Sequence, residues 1–126
     1  MKFYYNGNLV RTSKTHEYRY AILNPDGKCH SCHGTLEAAQ KELRRPIAEC
    51  ETAIEDDKKA IKALQEGRNY VDKKVGRRWY RVSLKGKDFL GGDRGEVTYW
   101  ENSIEAQKRS IEYYKTRTIV ELEARD

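Results

Sequence analysis

The feature that most constrains the fold is a change of hydrophobic period at Thr35. From there apolar residues recur at steps of three, four and seven, which places them on one stripe of an α-helix. The stripe consists of Leu36, Ala39, Leu43, Ile47, Cys50, Ile54, Ile61 and Leu64. Thr35 is suited to cap this helix and Gly67 to end it, so the pattern predicts a long helix over about residues 35–66. Pro46 predicts a kink or a break just before it, because proline removes one helical hydrogen bond.

The residues before this helix have the pattern of paired strands. Asn6-Gly7 separates two β-prone runs near residues 2–5 and 9–13, which is typical of a hairpin whose turn residues have positive φ. Residues 16–24 alternate between an aromatic or apolar face and a polar face, and the turn sequence NPDG leads from them into KCHSCH. Residues 1–34 are therefore predicted to form β-hairpins.

The order of strands followed by a helix repeats in the second half. Residues 68–86 are rich in Tyr, Val and Trp, with a turn at Val75-Gly76, and predict another hairpin. Residues 87–95 are a glycine-containing loop, and apolar residues seven apart then predict a C-terminal helix over about residues 97–124. We expect one α+β domain over residues 1–126, a small antiparallel β-sheet built from hairpins with two long amphipathic helices.

The composition indicates which surroundings and partners the chain suits. Charged residues make up 36% and hydrophobic residues 37%, so the apolar stripes of the helices are narrow. We expect them to pair with a second copy of the chain, as a dimer or a larger assembly. The alternative is that the two helices pair within one chain and pack on the sheet. No apolar run is long enough to span a membrane, and the first residues lack the apolar core of a secretion signal. Three Cys without such a signal favour reduced thiols, so we expect a cytoplasmic protein.

The sequence GKCHSCHG has the letters of several metal or redox motifs. Cys29, Cys32 and His33 have the spacing of covalent c-type haem attachment, but that attachment usually requires export. A zinc site would need His16 or Cys50 as a fourth ligand, and a redox dithiol would lack its usual βαβ surroundings. We favour a plain hairpin strand with Cys29 and Cys32 on opposite faces, because an offset of three residues changes face. No metal or cofactor is expected, although zinc remains open.

Basic and aromatic residues give a stronger indication of function. No nucleophile and base, P-loop or dinucleotide motif is present, so we expect no catalytic residues and no enzyme. The net charge is +5, and residues 67–95 hold nine Lys or Arg and three Asp, a balance of +6. Arginine forks bind phosphate oxygens, and aromatic rings stack on purines. The predicted ligand-binding residues are Arg19, Tyr20, Trp79, Tyr80, Arg81, Trp100, Arg109, Tyr113 and Arg117.

A family resemblance points in the same direction. The opening MKFYYNGNLVRTSKTHEY, the Cys-containing hairpin before TLEAAQKELRRPIAECETAIED, and the ending of strands followed by a long helix resemble small proteins of bacterial viruses. Over nearly its whole length the chain is similar to the first Thoeris anti-defence family, phage proteins that sequester the cyclic ADP-ribose signals made by bacterial TIR enzymes.

The resemblance implies a binding protein without catalysis, whose dimers join into hexamers and hold glycocyclic ADP-ribose isomers near subunit interfaces. It also implies that cyclic trinucleotides can occupy separate sites. The expected partner is a small cyclic nucleotide in the host bacterial cytoplasm, with no membrane and with nucleic acid less favoured. The alternative is a phage-encoded inhibitor that binds a bacterial defence protein or nucleic acid through its basic sheet.

Overall fold

The computed structural model describes all residues from Met1 to Asp126 and contains two helices and eight strands. The helices are α1 (Leu36–Gln65) and α2 (Val97–Tyr114). The strands are β1 (Lys2–Tyr5), β2 (Asn8–Thr12), β3 (Tyr20–Leu23), β4 (Cys29–His33), β5 (Tyr70–Val75), β6 (Arg78–Ser83), β7 (Thr118–Glu121) and β8 (Glu123–Arg125). The predicted α+β class, with antiparallel hairpins and two helices, is confirmed.

The strands form three small antiparallel sheets where the sequence suggested one. Their orders are β2-β1-β8, β4-β3-β7 and β5-β6. Each of the two three-stranded sheets takes a hairpin from the beginning of the chain and one strand from its end. The added strands give each hairpin the third strand that independent stability usually requires.

The prediction of helix beyond Tyr114 is wrong. The amide of Arg117 bonds the carbonyl of Tyr114 in a turn, and the β-branched residues that follow form β7. In β7, Ile119 pairs with Ile22 and Val120 with Ala21 of the buried strand β3. The sequence placed residues 118–124 on a helical stripe, but burial against β3 decides the outcome because period alone does not fix a short apolar run.

The predicted Asn6-Gly7 turn and the predicted ends of α1 are present. Asn6 and Gly7 both have positive φ, 50° and 79°, as a two-residue hairpin turn requires. The Ala38 amide donates to Thr35 Oγ1 at 3.1 Å, which confirms the cap of α1. Gly67 has φ of 78°, the left-handed conformation that ends many helices.

Pro46 does not divide α1 into two helices. The helix runs through all 30 residues from Leu36 to Gln65, and the Pro46 side chain is buried. The break that the sequence allowed is therefore wrong. One missing hydrogen bond is tolerated here because the helix has many others and the proline ring is removed from water.

By its internal contacts the chain divides into two compact units. The first unit comprises Met1–Ala48 and Ile111–Asp126, and the second comprises Glu49–Ser110. The fully buried residues of the first unit are Phe3, Ala21, Ile22 and Ala39. In the second unit Ala60, Ala63 and Leu84 form a buried cluster, against which Leu64, Val71 and Trp100 pack. Neither helix is long and apolar enough to cross a lipid bilayer.

Candidate functional site

The hairpin of β5 and β6 presents large aromatic side chains to solvent. Its register pairs Asp72 with Arg81 and Lys74 with Trp79, and residues paired in this way lie on the same face of a ribbon. Trp79 is 65% exposed. Tyr80 lies on the opposite face and is 49% exposed. The structure thus brings three predicted residues, Trp79, Tyr80 and Arg81, together on one exposed element.

Two of the cations of this hairpin lie over aromatic rings. The Arg81 guanidinium carbon is 4.0 Å from the centroid of the Tyr70 ring, and Lys74 Nζ is 5.9 Å from that of Trp79. Arg81 Nε also donates to Asp72 Oδ1 at 3.3 Å. We call the surface formed by these five residues the hairpin face. It combines positive charge with an open indole ring, the pairing that recognises bases joined to phosphates.

A groove of about 130 Å³ lies in the same unit, and Trp100 forms part of its wall. The Trp100 indole N–H donates to the carbonyl of Arg94 at 2.9 Å, which fixes the ring. Asp57 also lines the groove, is only 7% exposed, and has one carboxylate oxygen without a hydrogen-bond partner. Burial raises the pKa of Asp57 above its ordinary value of 3.8. The groove is smaller than the roughly 300–1,000 Å³ of sites that enclose a drug-sized ligand, so it suits one ring or side chain.

The loop between β6 and α2 is ordered by Asp88. One oxygen of the Asp88 carboxylate accepts the amides of Leu90 and Gly92 at 2.9 and 2.8 Å. These bonds, the Gly92 amide first, hold the pKa of Asp88 below its ordinary value. The carboxylate therefore occupies the amide groups with which a glycine-rich loop could cradle a phosphate.

The tip of this loop exposes an apolar pair that the sequence reasoning missed. Phe89 is 95% exposed and Leu90 is 81% exposed. The available signal was the letters Phe-Leu directly before Gly-Gly, where a turn leaves side chains without cover. Two adjacent exposed apolar side chains on an ordered loop are typical of a contact surface.

Arg19 and Tyr20 border a concavity of about 290 Å³ in the first unit. The amide of Leu122 donates to the carbonyl of Arg19 at 2.8 Å, so the connection between β7 and β8 lines the concavity next to Arg19. Glu17 and Glu121 also line it, and Arg19 bonds Glu17 at 3.2 Å. The two carboxylates beside one guanidinium repel a phosphate group, so this concavity is less suited to a pyrophosphate than the sequence suggested.

Arg117 lies against two tyrosines in the first unit. Its guanidinium carbon is 5.6 Å from the ring centroid of Tyr113 and 4.8 Å from that of Tyr114, and its Nε donates to Asn24 Oδ1 at 2.8 Å. Arg117 follows the end of α2, so it does not lie on the helix that the sequence predicted over residues 97–124. Arg109 is an exposed residue of α2. Four of the nine predicted residues belong to the first unit and five to the second, namely Arg19, Tyr20, Tyr113 and Arg117, and Trp79, Tyr80, Arg81, Trp100 and Arg109.

The Cys residues are arranged differently from the favoured prediction. The pairing of β3 with β4 slips between Ile22 and Leu23, so that His30 is an extra residue in β4. The slip brings Cys29 and Cys32 to the same side, with their sulfur atoms 3.6 Å apart. The expectation of opposite faces is wrong, because it assumed a regular strand.

The structure does not place His33 with these thiols. His33 Nε2 forms a hydrogen bond with Ser31 Oγ at 2.8 Å, so these two side chains lie on the same side of β4. Cys32 lies on the opposite side, because neighbouring residues of a strand alternate between its faces. His30 Nε2 lies 3.6 Å from Glu42. No group of three or more His, Cys, Asp or Glu side chains is arranged to hold a metal ion.

Comparison with protein-family models, with curated proteins and with solved structures gives no match for this chain. The surfaces described above are therefore interpreted from the residues of this chain alone. The resemblance to the anti-defence family stays an expectation drawn from the sequence.

Proposed function

We propose that the protein binds and sequesters a cyclic adenine nucleotide of the cyclic ADP-ribose class, such as glycocyclic ADP-ribose, without cleaving it. In this proposal it is a phage anti-defence protein that acts in the host bacterial cytoplasm and blocks Thoeris signalling. The observation that carries the proposal is the hairpin face, where an exposed indole shares one face of the ribbon with two cations. The resemblance of the sequence supplies the particular ligand class.

The hairpin face suits both parts of such a ligand. The purine ring stacks on Trp79, a contact worth about 1–3 kcal/mol per base. The pyrophosphate accepts hydrogen bonds from Arg81 and forms an ion pair with Lys74. Each hydrogen bond to a charged group contributes about 1.5–3 kcal/mol. Arg81 can turn one edge to a phosphate while it keeps its bond to Asp72, because a guanidinium group has five N–H donors.

One hairpin cannot enclose a ligand of this size. Its two strands form a sheet of their own, and Trp79 remains largely exposed. Small-ligand sites usually bury most of the ligand surface. We therefore propose that a second copy of the chain covers the hairpin face, so that the binding form is a homodimer or a larger homo-oligomer.

Calorimetric titration of the purified protein with glycocyclic ADP-ribose isomers tests the proposal. Trp79→Ala and Arg81→Ala are each expected to weaken binding roughly 10- to 100-fold, from the contact energies above. Arg125→Ala is the matched control, because Arg125 also lies over a tyrosine (Tyr4, 4.7 Å) and pairs with a carboxylate (Glu123, 3.1 Å), in the first unit. Its affinity is expected to equal that of the wild type.

Two further measurements complete the test. The ligand released by heating should be chemically intact, since sequestration leaves its bonds unchanged. Light scattering with and without ligand measures the oligomer. The absence of binding heat with every cyclic nucleotide would refute the function, and equal losses in Arg125→Ala and Arg81→Ala would refute the site.

Nucleic-acid binding is the second candidate, and a specific observation favours it. The hairpin carries Lys73, Lys74, Arg77, Arg78 and Arg81 on an open ribbon, and such a ribbon can enter a groove or support single-stranded bases. Binding of an oligonucleotide would weaken steeply with salt in proportion to the phosphates contacted, whereas a small dianionic ligand would respond far less. Measuring both affinities at two salt concentrations separates the candidates.

A further inference from the structure

Cys29 and Cys32 form a pair of neighbouring thiols that the proposed function does not use. Their sulfur atoms are 3.6 Å apart, about van der Waals contact, and neither is in a disulfide. The contact exists because His30 is an extra residue in β4. Cys29 is exposed and Cys32 is partly buried, so reagents from solvent reach Cys29 first.

The strand register shows that these residues can be joined. Cys29 pairs with Leu23 and Cys32 with Ala21, and these partners are two residues apart on β3. Two strand rises place the Cys Cα atoms about 6.6 Å apart. Disulfides span roughly 4.4–6.8 Å, so a bond forms with little backbone movement but lies at the long end of the range. Disulfides under strain are the labile, readily reduced kind.

The surroundings of Cys29 indicate which oxidant would reach it. Cys29 and Lys28 line a concavity of about 310 Å³ in the first unit, together with residues of β1, β2 and the turn between β3 and β4. Arg11 of β2 acts electrostatically on Cys29 as a nearby positive charge. The two cations favour an anionic reagent, and small thiols such as glutathione are anionic at neutral pH.

We propose that Cys29 and Cys32 form a reversible intramolecular disulfide by exchange with an anionic low-molecular-weight disulfide. The Cys29 thiolate attacks one sulfur of the small disulfide, which forms a mixed disulfide and releases one small thiolate. The Cys32 thiolate then attacks Cys29 Sγ and releases the second. Two protein thiols are oxidised and one small disulfide is reduced to two thiols, which take up the two protons. Excess small thiol reverses both steps.

The pKa of Cys29 determines how the rate of this exchange depends on pH. Cys29 is exposed as a residue, but partial burial of its thiol raises the pKa of Cys29 to about 11, and the hydrogen bond with Cys32 adds to the effect, while Arg11 opposes it. The attacking thiolate is therefore scarce at neutral pH, so the rate of oxidation is expected to rise about tenfold per pH unit up to that pKa.

The experiment incubates the whole protein in buffers of oxidised and reduced glutathione, then quenches it with acid and blocks free thiols with an alkylating agent. Intact-mass and peptide spectra identify the products. The wild type should lose two hydrogen atoms within the peptide that contains Cys29 and Cys32, and excess reduced glutathione should restore the dithiol. Cys50→Ser is the matched control, because Cys50 lies on α1 in the second unit, and its variant should behave as the wild type does.

Two variants separate the steps of exchange. In Cys32→Ser the second step is absent, so one glutathione per chain should accumulate on Cys29. In Cys29→Ser the exposed thiol is lost, so little modification of Cys32 is expected. A stable mixed disulfide in the wild type, or disulfides only between chains, would overturn the proposal. Bound zinc would also overturn the proposal if it co-purifies with the wild type, is lost in both variants and blocks oxidation. The thiols would then be metal ligands.

Discussion

The carboxylate of Asp57 is expected to lower the stability of the protein at neutral pH. Asp57 is 7% exposed and one of its oxygens has no partner. Burial is the largest cause of its raised pKa, and the negative charge of Asp56 adds to it, while a hydrogen bond with Ser103 and the positive charge of Lys73 oppose it. An unsatisfied buried polar group costs about 1–3 kcal/mol, and more when it is charged. Asp57→Asn keeps the shape of the side chain and removes the charge.

The direction of the pH dependence follows from proton binding. Because the pKa of Asp57 is higher in the folded protein than in the unfolded chain, the folded state binds more protons between those two values. Stability contributed by this group is therefore present below pH 3.8 and is lost as the pH rises through the folded pKa. We consider the free energy of unfolding of Asp57→Asn minus that of the wild type. This difference should be larger at pH 7 than at pH 3 by about 1–3 kcal/mol.

Urea denaturation of both proteins across this pH range measures the difference. The new amide changes the free energy of unfolding by an amount that is the same at each pH. The test is therefore how the stability difference between Asp57→Asn and the wild type changes with pH. Asp56→Asn is the control, because Asp56 is more exposed and pairs with Lys73 at 3.7 Å. It is expected to change stability by less than about 1 kcal/mol. A difference between Asp57→Asn and the wild type that does not change with pH would refute the reasoning.

Three further substitutions test the core, an ion pair and a helix end. Leu84→Ala should cost about 2–5 kcal/mol in denaturation, since Leu84 is 1% exposed, whereas the same change at exposed Leu90 should stay within about 0.5 kcal/mol. Glu42→Gln should lose about 1 kcal/mol at pH 7, because bonds from Arg45 lower the pKa of Glu42 from 4.5 to about 2; this loss should vanish as the pH falls through that window. Gly67→Ala should lower the melting temperature, with a cost of about 1 kcal/mol for a side chain at positive φ.

Features that depend on neighbouring residues could be predicted from the sequence. The Asn6-Gly7 turn, the Thr35 cap and the end of α1 at Gly67 each depend on one residue's conformational preference or a local hydrogen bond. The third strands of the two larger sheets depend on pairing between residues about one hundred positions apart. The β-branched run from Thr118 to Val120 is only a weak local sign of a strand, and the helical spacing of residues 118–124 gave the wrong structure.

The thiol pair shows the same limit at the level of a site. A regular strand separates residues three apart onto opposite faces, and the sequence offered no sign of the extra residue in β4. The bulge depends on how β3 and β4 align, which turn geometry and the burial of Ile22 and Leu23 determine together. The sequence therefore showed that two thiols lie close together along the chain, but it did not show that they lie on the same side of β4.

Residue type indicated the binding chemistry but not how many of the arginines have other partners. Arg19 bonds Glu17, Arg81 bonds Asp72, and Arg117 bonds Asn24. A phosphate that binds one of them must share these donors or displace their partners, so the net gain is the difference between two charged hydrogen bonds. On the hairpin the displaced group is solvated and the exchange costs little, whereas beside Arg19 a second carboxylate, Glu121, still repels the phosphate. This difference favours the hairpin face over the concavity beside Arg19 as the binding surface.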